Sequence, residues 1–139
     1  RASRAAQRLE DGGVQVRGGE MGRPWLVLAA LNGLMAVGFG AYAAHGLAGH
    51  AVNLADRASQ YQMAHALALL AVDRLAADRP AARWAGGLFV LGIVLFCGSL
   101  YLKAVTGGPL ALPLPLVTPA GGLCLMAGWA TLAVSGIKA

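Results

Sequence analysis

A chain of 139 residues that is 58% hydrophobic and only 12% charged has too little polar surface to clothe a soluble domain. Soluble proteins carry about 25% charged residues, and a domain this small leaves much of its chain exposed. The net charge of +5 does not point to nucleic acid, because the bases gather at expected helix ends with no aromatics interleaved.

Eight of the seventeen charged residues fall within residues 1–23, which leaves the rest of the chain apolar enough for a bilayer. Residues 1–22 read as a polar leader, Gly-rich and without apolar periodicity, and the expectation for it is disorder. It lacks the apolar stretch of a secretory signal and, carrying acids, does not resemble a transit peptide. Met21, just ahead of the apolar chain, is a candidate native start.

Residues 23–139 are expected to form one all-α domain, an integral membrane bundle of four transmembrane helices. A span needs about 20 mostly apolar residues. The first runs over residues 25–47 with no formal charge, Pro24 standing where a helix tolerates proline. The second, residues 59–77, is the most polar, with Gln60, Gln62, His65, Asp73 and Arg74. The third covers residues 84–105, and the fourth residues 119–136, with Thr118 as cap and Pro119 at the first helical position. The three prolines within residues 107–115 break the chain between them. With four spans, nine of the eleven bases share one side, so both ends are expected in the cytoplasm. Three spans, with residues 59–77 lying on the surface as an amphipathic helix, would weaken that asymmetry.

Helices associate in lipid through small residues and interhelical hydrogen bonds. Gly121, Cys124, Gly128, Thr131 and Ser135 form one stripe on the fourth span, and Gly33, Ala36, Gly40 and Ala44 another on the first. Both are expected to be packing faces, within the bundle or between copies. Trp25, Trp84 and Trp129 suit interfacial anchoring.

Polar side chains inside a span are the natural candidates for a site. Ser59, Gln62, His65 and Asp73 share about a third of the second helix's circumference, a stripe expected to face inward. His65 is either a neutral imidazole bonded to a neighbouring helix or a contact for a proton or solute. Asn32 is read as interhelical glue, and Asp73 and Arg74 as paired or snorkelling at the cytoplasmic exit. His45 and His65 lie at different depths, which disfavours a shared haem. Cys97, Cys124 and His65 fall at similar depth, but single residues on three helices make a weak metal signal. No nucleophile–base pair or phosphate loop is present, so no enzyme, metal or cofactor is expected.

Four runs in order, GFGAYAAHGL from Gly38, YQMAHALALL from Tyr61, LFCGSLYLKAVTG from Leu95 and TPAGGLCLMAGW from Thr118, resemble the YgdD family. These are small bacterial membrane proteins with a eukaryotic transmembrane relative, grouped as domain of unknown function four hundred and twenty-three. The resemblance implies a four-helix, multi-pass protein of the inner (plasma) membrane. It draws attention to His45, Gln62, His65, Ser99 and Tyr101, and it brings no activity. Tyr42 and Lys103 depart from the family pattern, and Cys97 occupies a Ser-like position, which further weakens a metal site. The resulting expectation is a non-catalytic module whose partners are the bilayer and a second copy or a larger membrane complex. The alternative is an oligomeric channel or carrier using the polar face of the second helix.

Overall fold

The computed structural model describes residues 23–107 and 114–137, which fold into four long helices. The expected leader, most of the proline-rich break and Lys138 lie outside the described residues. Helix α1 is Pro24–Gly46, α2 is His50–Leu75, α3 is Pro80–Thr106 and α4 is Leu114–Ile137. Three of them, α1, α3 and α4, are long and apolar enough to cross a membrane.

Local chemistry sets most of the boundaries. Pro24 and Pro80 open α1 and α3, where a missing N–H forfeits nothing. Gly49 takes a φ of +60° directly before α2, a backbone region open mainly to glycine. Gly107, also left-handed, closes α3 and donates its N–H to the Lys103 carbonyl at 3.1 Å.

Two boundaries differ from the sequence expectation. Helix α2 starts at His50 rather than at residue 59, so only residues 47–49 separate it from α1. The polarity of residues 50–58 suggested a loop, yet Ala55 and Ala58 are buried while Asn53, Asp56 and Arg57 are exposed. Helix α4 starts at Leu114, so Pro119 lies inside it and Thr118 is not its cap. Pro119 forfeits one backbone bond in the second turn, a loss that membrane helices tolerate.

The helices pack as two antiparallel hairpins, α1 with α2 and α3 with α4, joined through α2 and α3 at the centre. Ala29, Ala36 and Ala43 recur every seven residues on α1 and are buried, so its backbone comes close to α2. A Cβ added at Gly40 would stand 2.9 Å from Ser59 Oγ. The α3–α4 seam is tighter: a Cβ on Gly121 would lie 2.4 Å from the Phe96 nitrogen, and one on Gly128 2.7 Å from the Phe89 ring. Facing Gly121, α3 widens into a π-helical turn over Ile93–Cys97, with the Gly98 N–H reaching back to the Ile93 carbonyl.

Only 17% of the apolar stretch of α1 and 22% of that of α4 is buried, against 44% for α3, so the flanking helices present their apolar sides outward. Gly33, expected on a packing face, has no neighbour within 4 Å of a Cβ built on it. A substitution pair follows. Gly128→Leu should destabilise the protein by about 1–3 kcal/mol through overpacking, whereas Gly33→Ala should stay within about 0.5 kcal/mol of the parent; thermal unfolding in detergent micelles measures both.

Candidate functional site

The inward face of α2 carries a polar network that ties the bundle together. At its centre, Gln62 is 2% exposed and uses both ends of its amide. Its Nε2 donates to Asn32 Oδ1 on α1 at 3.0 Å, and its Oε1 accepts from the Tyr101 hydroxyl on α3 at 2.8 Å. Asn32 in turn donates to the Leu28 carbonyl at 2.8 Å, and the Tyr101 ring stacks on Phe39 with centroids 3.9 Å apart. One amide thus joins three helices, with aromatic stacking behind it.

Three residues further along the same face, His65 links α2 to α4. Its Nδ1–H donates to the Tyr61 carbonyl at 2.6 Å, and the Trp129 indole N–H donates to its Nε2 at 3.1 Å. An indole only donates, so Nε2 accepts, the proton sits on Nδ1 and the ring is neutral in this arrangement. Phe89 and Trp129 pack against the imidazole with ring centroids 5.5 and 5.9 Å away, and His65 is 5% exposed.

Two hydroxyl contacts complete the set. Ser59 Oγ donates to the Ala36 carbonyl across the α1–α2 seam at 2.8 Å. Ser99 Oγ lies 2.9 Å from the Phe96 carbonyl and 2.7 Å from Thr118 Oγ1 on α4. Ser99 has one proton, so if it donates to the carbonyl, Thr118 donates to Ser99. Among the described residues, every buried side-chain nitrogen and oxygen has a hydrogen-bond partner.

At one end of the bundle, charged groups close the helix termini. Arg23 pairs with Asp73, joining the start of α1 to the end of α2. Arg79 donates to the Ser135 carbonyl at 2.9 Å and Arg83 to the Ala76 carbonyl at 2.7 Å, each satisfying a carbonyl near a helix carboxyl end.

The structure therefore brings Asn32, Gln62 and Tyr101 into one cluster, with His65 and Ser99 in neighbouring links. His45 sits exposed at the end of α1, apart from all of them. His50, which falls between the first two expected spans, is the first residue of α2. Gly40, Gly121 and Gly128 meet a neighbouring helix, and Ser135 is buried with its hydroxyl on the Leu132 carbonyl at 2.6 Å. Cys124 is half-buried, and Thr131 bonds within its own helix to the Ala127 carbonyl at 2.8 Å. Cys97 and Cys124 are free thiols, and among the described residues no three His, Cys, Asp or Glu side chains converge as a metal site.

Sequence reasoning missed three members: Phe39, Thr118 as a partner of Ser99, and Trp129 as a donor to His65. Trp129 suggested an interfacial anchor, and only its lateral position opposite Phe89 and His65 turns the indole inward. The polar atoms of the network are bonded to one another or to backbone carbonyls. Gln62→Leu should cost about 1–3 kcal/mol, because it strands Asn32 and Tyr101. Tyr101→Phe should cost less, about 1 kcal/mol, since one bond is lost; thermal unfolding in micelles at a fixed detergent concentration compares the two.

Comparison with known proteins adds the family. A family model described as "Protein of unknown function (DUF423)" matches residues 39–122, a stretch that contains Gln62, His65, Ser99, Tyr101 and Thr118. A UPF0382 membrane protein of Staphylococcus aureus is 39% identical over 119 residues, covering 82% of this chain and 95% of the relative. The UPF0382 membrane protein YwdK of Bacillus subtilis is 38% identical over 121 residues, covering 82% and 96%. A UPF0382 membrane protein of the yeast Schizosaccharomyces pombe is 40% identical over 114 residues, covering 77% and 96%. No solved structure matches the chain. Apolar helices of spanning length, the four ordered motifs and relatives aligned along nearly their whole length lead to one conclusion: the chain is a helical membrane protein of the DUF423 family, whose relatives occur in bacteria and yeast.

Proposed function

We propose that this protein is a non-catalytic, multi-pass module of the cell's inner (plasma) membrane, crossing it four times with both ends in the cytoplasm. In this reading it packs with further copies of itself or with a larger membrane complex. The observation that carries the reading is the saturation of the polar network: Gln62 and His65 spend their polar atoms on Asn32, Tyr101, Tyr61 and Trp129. A carrier would need those groups to meet a solute, and in this packing they hold the helices.

The same network supports a crossing by α2. Its contacts with α1 run from Arg23–Asp73 through Asn32–Gln62 to Ser59 at Ala36, so the two helices share their depth over most of α1. A helix whose polar stripe is buried against its neighbours does not need the hydropathy of a lone span. Orientation is supported by charge: Arg23, Arg74, Arg79 and Arg83 gather at one end, while Arg57 and Lys103 lie toward the other.

Loop labelling tests the topology. In a Cys97→Ala/Cys124→Ala background, Ala48→Cys should react with a membrane-impermeant maleimide on intact cells, and Asp78→Cys only after permeabilisation. Labelling of both from the same side would remove the crossing by α2. Extraction directly into native nanodiscs should then yield particles heavier than one chain. A monomer without companions, or a solute flux in proteoliposomes abolished by His65→Ala, would overturn the module reading.

A further inference from the structure

Helix α2 has a second patterned face, turned away from α3 and α4, that the internal network does not use. Asn53, Arg57, Gln60, Ala64, Leu67 and Ala71 are all exposed, at successive spacings of four, three, four, three and four. That is the spacing of a seam between two helices wound together, and it continues for nearly the whole helix. Any exposed helix face recurs at threes and fours, so what distinguishes this one is the amide at its centre, which a face meant only for lipid has no reason to carry.

Depth sharpens the point, on the four-span reading proposed above. Asp73, paired with Arg23, marks the inner edge. Gln60 lies thirteen residues away, about 20 Å deeper at ~1.5 Å per residue, and so about 10 Å short of the outer edge of a ~30 Å core. Its stem is too short to carry the amide to water. The Gln60 Nε2 donates to Asp56 Oδ2 at 2.8 Å, which holds a carboxylate on the same outward face. Arg57 stands beside it, exposed, and the one ion pair among the described residues is Arg23–Asp73. On the same scale Asp56 and Arg57 lie about 5 Å inside the outer edge, where a charge must either reach for water or find a protein partner.

We infer that the outward face of α2 docks the same face of a second copy, giving a parallel homodimer about a two-fold axis along the membrane normal. Two copies inserted the same way present equal depths to each other. On ~100° per residue, Asp56 and Arg57 flank the Gln60 direction on opposite sides, so a two-fold through Gln60 sets Asp56 of each copy beside Arg57 of the other. Both charges are then paired, twice over, by one self-complementary contact. Adjacent to the seam, a groove of about 490 Å³ between α1 and α2, lined by Val37, Gly40, Ser59, Gln60 and Met63 among others, gives the second copy a concave surface. A neutral partner helix would leave Asp56 and Arg57 unmatched; a second copy matches them by construction.

Cross-linking and charge exchange test this in the full chain, in native membranes. In the Cys97→Ala/Cys124→Ala background, Gln60→Cys should form a disulfide-linked dimer on oxidation, and Leu91→Cys, exposed on α3, should not. Arg57→Asp should weaken association by about tenfold or more, since like charges then meet. The exchange variant Asp56→Arg/Arg57→Asp should restore it, which a folding defect would not. If Leu91→Cys cross-links instead, or if Gln60→Cys is captured only by a different membrane protein, this dimer is wrong while the module reading stands. A monomer with no companion would sink both, and an exchange variant as weak as Arg57→Asp would overturn the charge pairing that defines the seam.

Discussion

Everything in this bundle depends on the rule that a polar group inside hydrocarbon must find a partner within the protein. Gln62 is where the rule bears hardest. An amide both donates and accepts, so one side chain on α2 can hold Asn32 on α1 and Tyr101 on α3 at once. A carboxylate could only accept, and an alkyl chain could do neither. The directionality of that one group locks the axial register of three helices, which lipid, being as apolar as leucine, would otherwise leave free to slide.

Such bonds form only because the backbones come close enough, and small residues arrange that. The alanines at every seventh position of α1 lay it against α2 at the height where Asn32 and Gln62 meet. On the other side, Gly121 nests against the π-helical turn at Phe96, and the same approach brings Thr118 to Ser99 and Trp129 to His65. The π turn adds a residue to α3 where α4 presses in, so packing and hydrogen bonding are two aspects of one fit. Polar residues near the end marked by Asp73 follow the same logic, with Arg79 and Arg83 meeting carbonyls that the helices cannot bond themselves.

Legibility followed the range of the physics. Apolar length marked three helices directly, since it is a sum over about 20 adjacent residues. The start of α2 was obscured because residues 50–58 mix buried alanines with exposed polar groups, a pattern whose meaning depends on the helices lying alongside. The start of α4 was obscured because a Thr-Pro pair is a good cap signal and also a tolerable helix interior. Among the candidate residues, Gln62, His65 and Asn32 were visible because polarity inside an apolar run is itself a signal, and Ser99 and Tyr101 through the family motif. His45 carried the same signal but sits at a helix end, where exposure costs little.

What the sequence determined by itself is the medium, the helical class and the family, because each is written in local composition or in ordered motifs. Which partners Gln62 and His65 meet was decided only by tertiary structure. A polar side chain is equally costly to bury whatever its purpose, and the choice rests on which groups the other helices bring within about 3 Å. Trp129 and Thr118 show it best: nothing in their own surroundings along the chain distinguishes an anchor or a cap from a partner of His65 or Ser99. The helix that was least like a span on hydropathy turned out to be the one the others are built around, since the residues that lower its hydropathy are the ones its neighbours hold.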